Sequence, residues 1–234
     1  MSYCGESTLV KSIGQARHAV SLRCRSWGCP DCSDTRKAQL IAQAIGGAPS
    51  TFLTLTMRRH HVATPALAAA KLVWCWRLVR LRIMRRYGWR KLPFIAVFEP
   101  HVSGWPHLHI MLRSAFIDWQ FIRDCMAELA DSPQVQIERI DNKGRVAGYC
   151  AKYCGKGTAK FGSCKRYWMS QDYDLRTKPP KSWSLKHDPF VEVVPCSLQK
   201  WLAVYQAQGW TIEQPCIYRA ILTPPRGPPR KEAR

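Results

Sequence analysis

Two histidines separated by a single residue, His107-Leu108-His109, offer two imidazoles to one point if the segment is a strand, because residues two apart share a face. Leu108 then turns the other way, toward a core. Glu99 stands upstream on a segment that can pair with this one, so its carboxylate reaches the same place. Two imidazoles and a carboxylate suit Mn²⁺ or the harder Mg²⁺, with positions left open for substrate oxygens. A His-x-His pattern alone is equally at home as two structural histidines; the carboxylate on a paired strand is what shifts the balance.

Tyr149-Cys-Ala-Lys-Tyr-Cys-Gly-Lys156 is a second such group. On a helix Tyr149 and Tyr153 stack on one face, as do Lys152 and Lys156. Tyrosine is a workable nucleophile toward phosphorus when a metal polarises the phosphate and a lysine offsets its charge. The alternative is an amphipathic helix whose tyrosines only pack. Gly155-Lys156-Gly157-Thr158 lacks the upstream glycine and the preceding strand of a nucleotide-binding phosphate loop, which excludes that class. A third group, Cys24, Cys29 and Cys32, has the close pair of a structural zinc site and needs a fourth ligand. Cys4 is the first choice and His18 the second; a cluster of buried free thiols is the remaining alternative.

The elements that must position these residues follow from periodicity and capping signals. A helix is expected over Asp34–Ala44, with Asp34 as N-cap and Gly46-Gly47 as its stop. Thr51–Met57 reads as a central strand, and Thr64–Tyr87 as a long helix with Pro65 in its first turn and Gly88 at its end. That helix carries Arg77, Arg80, Arg82, Arg85 and Arg86 with no interleaved acid, which favours a phosphate-facing surface. Strands Phe94–Glu99 and His107–Arg113 form a hairpin around Ser103-Gly104, and a helix over Asp118–Ala130, a strand over Gln134–Ile140 and a helix over Val146–Lys156 follow. Beyond Gly157 the pattern weakens: a strand at Val191–Val194, a helix from Ser197 to Gln208 and a strand at Cys216–Leu222. Met1–Ser33 shows no clear periodicity. The order β-α-β-β-α-β-α describes an α+β fold, an antiparallel sheet with packed helices.

Leu53-Thr-Leu-Thr56, Glu99 with Gly104-Trp-Pro-His-Leu-His109, and Tyr149-Cys-Ala-Lys-Tyr153 occur in the order of three motifs of the HUH endonucleases. The stretch Thr51–Lys156 thus resembles the rolling-circle replication initiators of phages, plasmids and small single-stranded DNA viruses. The doubled Tyr-x-x-Lys is most similar to microvirus-type phage initiators, in which two tyrosines alternate in strand transfer. The resemblance implies an RRM-like, ferredoxin-like core whose open sheet face takes single-stranded nucleic acid. It implies that Glu99, His107 and His109 hold the catalytic divalent ion and that Tyr149 is the nucleophile, with Tyr153 as a second. Lys152 would contact the scissile phosphate or the metal-bound water, Lys156 would add a DNA contact, and Thr54 and Thr56 would face the DNA. A Cys-rich lead-in ending in Cys-Pro-x-Cys is similar to the zinc module that precedes some HUH transposases and phage initiators.

Composition agrees with a polyanionic partner. Thirty-six Lys and Arg against 16 Asp and Glu give a formal charge of +20. The most apolar stretch, Ala63–Leu81, is interrupted by Lys71, Arg77 and Arg80, so no membrane span is expected. Met1–Gly14 has no apolar core of a secretory signal, which points to the cytoplasm, a host's if the source is viral, and to reduced cysteines. The expected organisation is a zinc module and helix over 1–48, an HUH endonuclease core over 49–160, an α/β extension over 161–222 and a disordered basic tail over 223–234. The expected activity is nicking and rejoining of single-stranded origin DNA through a 5′-phosphotyrosine. With no helicase motif in the chain, unwinding falls to a host helicase. An HUH transposase or relaxase uses the same chemistry on other DNA, and a non-catalytic zinc-containing strand binder is the third class.

Overall fold

The computed structural model describes residues 4–155, 161–176, 191–216 and 219–225, with backbone alone at 61, 151–155, 215 and 216. The chain divides into two compact units, residues 33–177 and residues 1–32 together with 178–234, the division falling within a helix.

The larger unit has five antiparallel strands in the order β6-β3-β5-β4-β7. They are β3 (Thr51–Thr56), β4 (Phe94–Pro100), β5 (Pro106–Leu112), β6 (Val135–Arg139) and β7 (Tyr167–Met169). Helix α2 (Pro65–Tyr87) follows β3 and α3 (Trp119–Ala130) follows β5. Leu53, Leu55, Phe94, Ala96, Phe98, Leu108, Ile110 and Leu112 pack in one core with Leu72, Cys75, Trp76, Val79 and Ile83 of α2 and Ile122 and Met126 of α3. Strand alternation therefore sends Phe52, Thr54, Thr56, Val97, Glu99, His107 and His109 to the opposite face. Helix α4 (Lys143–Gly155) packs against β4.

The capping signals act as expected. Thr64 Oγ1 accepts from Leu67 N–H at 3.2 Å, Gly88 takes φ +67° at the end of α2, and Asp118 Oδ1 accepts from Gln120 N–H at 3.0 Å to open α3. Two points differ. Helix α1 (Pro30–Gly46) begins a turn before the expected Asp34, because Pro30 takes the first helical position, and Asp34 instead pairs with Lys37 at 2.9 Å. The second is Gly47, which is required for space: a Cβ there would lie 2.2 Å from the ring of the buried Tyr173.

The smaller unit holds a second antiparallel sheet of five strands, β8-β1-β2-β10-β9. Here β1 (Thr8–Ile13) and β2 (Ala16–Ser21) form a hairpin in the segment read as aperiodic, β8 (Val191–Val194) pairs with β1, and β10 (Arg219–Thr223) pairs with β2. The expected strand at Cys216–Leu222 is two, β9 (Thr211–Cys216) and β10. Helix α5 (Leu198–Ala207), capped by Ser197 as expected, buries Trp201 and Leu202 with Val10, Ala19, Ala220 and Leu222. No helix among the described residues is long and apolar enough to cross a membrane.

Candidate active site and cysteine cluster

Strand β5 is central, with β3 on one side and β4 on the other. Register puts Thr56 opposite His107 and Thr54 opposite His109 on the β3 side, and Glu99 opposite His107 on the β4 side. Each threonine Oγ1 lies 3.0 Å from the Nδ1 of its histidine. With Nδ1 engaged, each ring turns Nε2 toward the β4 side. Glu99 reaches diagonally to His109, its Oε2 meeting Nε2 directly. The two imidazoles lie nearly parallel, 12° apart in plane and 6.4 Å between centroids. Phe52 stacks on His109 at 5.3 Å. Burial holds the pKa of His107 below the usual imidazole value, with the neighbouring His109 and His101 acting in the same direction.

Helix α4 brings Tyr149 to this face. Its hydroxyl donates to Glu99 Oε2 at 2.8 Å, its ring stands edge-on to His109 at 5.7 Å, and it is 42% exposed, so the phenol stays within reach of a substrate. Thr54 and Thr56 were expected to face DNA; they lie on that face, with their hydroxyls engaged by the histidines and Thr54 buried. The face is not open throughout, since Ile95, Val97 and Met111 are buried on it; access is at the end nearest the β4–β5 turn. The side chains of Lys152 and Tyr153 and the whole of Lys156 lie outside the described residues.

The basic helix α2 is elsewhere. It covers the face opposite the histidines, and three of its arginines have protein partners. Arg82 forms a two-pronged bond with Glu128 at 2.7 and 2.6 Å, Arg86 meets Asp118 at 3.6 Å, and Arg80 Nε donates to the Leu92 carbonyl at 3.1 Å. The absence of acids within the helix sequence said nothing of acids supplied by α3. The signal overlooked was Arg58-Arg59-His60-His61 immediately after β3, which together with His101 adds cationic groups beside His107.

In the smaller unit, Cys4, Cys24, Cys29 and Cys32 form a group whose sulfurs all lie within 4.8 Å of one another, and they could hold a metal such as zinc. Sγ of Cys32 is 3.3 Å from that of Cys4 and 3.8 Å from that of Cys24, close to the edge of about 3.8 Å in a tetrahedron of zinc–sulfur bonds about 2.3 Å long. Cys4 is thus the fourth member, while His18 stands on β2 outside the group. Burial raises the Cys32 thiol, but the Arg23 guanidinium and the other thiols outweigh it and bring the pKa to about 6; burial drives that of Cys4 upward. Glu99, His107 and His109 are less tightly gathered than the cysteines.

No curated protein and no solved structure matches the chain. Residues 50–158 match a family model, that of the replication-associated protein ORF2. The matched span runs from β3 into the end of α4 and so contains the paired threonines, the histidines, Glu99 and Tyr149. Through this span the chain belongs to the replication-associated protein ORF2 family, as a Rep-type replication initiator.

Proposed function

We propose that the chain nicks single-stranded DNA at a replication origin in the HUH manner, holding the new 5′ end on Tyr149 and later rejoining it. The observation that carries this reading is the hydrogen bond from the Tyr149 hydroxyl to Glu99, at a carboxylate that also touches His109. Packing alone has no use for a phenol, a carboxylate and two threonine-anchored imidazoles at the reachable end of a sheet face whose middle is apolar.

This donor set fits a divalent ion such as Mn²⁺ or Mg²⁺, held by Glu99, His107 and His109. Such an ion would offset charge on the phosphate under attack. Thr54 and Thr56 fix ring orientation through Nδ1, leaving Nε2 as the ligand atom. Glu99 holds the phenol in place and is the group positioned to accept its proton. The phenolic oxygen forms a bond to phosphorus, the bond to the 3′ oxygen breaks, and that oxygen leaves as a hydroxyl after taking up a proton. The resulting phosphotyrosine conserves the bond for religation. Lys152 is assigned to the scissile phosphate, Lys156 to the DNA backbone, and Tyr153, one helical turn on, to a second nucleophilic role. The net charge of +20 supports a strand bound largely through its phosphates. Zinc at the four cysteines is assigned a structural role.

The test is incubation of the protein with a labelled single-stranded origin oligonucleotide and Mn²⁺. A protein–DNA adduct that survives denaturation is expected. Binding without cleavage or adduct under these conditions would reduce the protein to a strand binder.

A further inference from the structure

A cavity of about 480 Å³ opens beside His107, between the exit of β3 and the β4–β5 turn. That volume is within the roughly 300–1,000 Å³ of small-ligand sites. Its walls include Arg58, Arg59, His101, Trp105 and Gln134, and no carboxylate lines it. Arg58 reaches Asp131, outside the cavity, only at 3.8 Å.

The walls are braced. The Arg59 guanidinium donates to Ser103 Oγ and approaches His101 Nδ1 at 3.5 Å, joining the two sides. His101 Nδ1 and Ser103 Oγ are 2.8 Å apart, and His101 N–H donates to the Trp105 carbonyl at 2.8 Å. Gly104 closes the turn at φ +79°, a conformation that favours glycine. The His101 ring lies 5.2 Å from that of His107, so the cavity wall continues the imidazole row of the site.

We propose that this cavity is a nucleotide subsite, which takes one nucleotide of the substrate strand adjacent to the cleaved phosphate and contributes to choosing where the strand is cut. The proposal rests on the nicking reading above. The half-buried Trp105 indole is a stacking platform for a base, the exposed amide of Gln134 can donate to and accept from a base edge, and Arg59 matches a phosphate. An acidic peptide would use the guanidinium groups but leave the indole and amide without a role. A planar anionic ligand uses all of them.

Two measurements test this. In the first, each nucleotide around the nick of a cleaved oligonucleotide is replaced in turn by an abasic residue. One position next to the nick should lose cleavage about tenfold or more in the wild type, the loss of one stacked base. In Trp105→Ala and Gln134→Ala that position should matter far less. A flat scan, or equal sensitivity in wild type and both variants, overturns the subsite. In the second, 2-aminopurine at the same positions is monitored during binding by Tyr149→Phe protein, with no cleavage required. Quenching at one position is expected, reduced when Trp105→Ala or Arg59→Gln is added. Should Trp105→Ala fail to fold, the exposed Gln134 and Arg59 variants decide. If no oligonucleotide is cut, the nicking reading fails. Position-specific quenching sensitive to these substitutions would still uphold a nucleotide site, and its absence would dismiss it.

Discussion

Thr56 Oγ1 lies 3.0 Å from His107 Nδ1, directly across the β3–β5 ladder, and Thr54 holds His109 in the same way. A ligand histidine held at its far nitrogen keeps its tautomer and ring angle, and loss of such a partner costs about 10–100-fold in metal affinity or activity. Thr56→Val is therefore expected to raise the Mn²⁺ concentration needed for cleavage by about that factor, with thermal stability little changed. Thr56→Ser should restore most of the loss. A valine variant with the wild-type Mn²⁺ dependence would show that the threonine does not orient the ligand.

Tyr149→Phe keeps the ring against His109 and removes the hydroxyl that donates to Glu99. It should lose the first cleavage while DNA affinity, carried by phosphate contacts, stays within about twofold. Mass spectrometry of the peptide joined to DNA locates the nucleophile. Adduct on Tyr149 is expected in the wild type, and adduct on Tyr153 in Tyr149→Phe would establish alternation. Adduct confined to Tyr153 in wild type would reverse the assignment.

Protein purified without chelator should contain about one zinc per chain. Cys4→Ser and Cys32→Ser should lose it, and His18→Ala should keep it, because His18 stands outside the cysteine group. Elemental analysis decides. Full zinc content in Cys4→Ser would remove Cys4 from the ligands.

Gly47→Ala should lower the melting temperature by an amount equivalent to about 1–3 kcal/mol, the usual cost of overpacking. The Tyr173 ring cannot easily withdraw, since it is buried and its hydroxyl donates to the Ala44 carbonyl at 2.8 Å. Burial raises the Tyr173 pKa above the ordinary phenol value, so the folded state keeps a proton that the unfolded chain loses at about pH 10. Stability from this group is present below that pH and falls as pH rises above it. Tyr173→Phe should weaken that alkaline slope, and an unchanged slope would count against the buried phenol as its source.

Arg82→Gln and Arg86→Gln should leave the salt dependence of DNA binding unchanged, because both arginines have carboxylate partners on α3 or at its cap. Arg59→Gln should reduce the slope of log affinity against log salt by about one phosphate contact. Equal effects from all three would restore α2 as a DNA-facing helix.

What the sequence by itself determined is local. Alternation placed His107 and His109 on one strand face with Leu108 in the core, and caps at Thr64, Gly88, Asp118 and Ser197 set helix ends, because each depends only on residues a few positions apart. The order of motifs also sufficed for the α+β core and the Rep resemblance. Tertiary structure alone decided everything that turns on distant partners. Strand order gave the histidines their threonines, α3 neutralised the arginines of α2, and the ring of Tyr173 explained a glycine that looked like a helix stop. The hairpin β1–β2 escaped notice for the same reason. Its strands bury only short runs of small or β-branched residues, and they are stable as strands because β8 and β10, nearly two hundred residues later in the chain, complete the sheet around them.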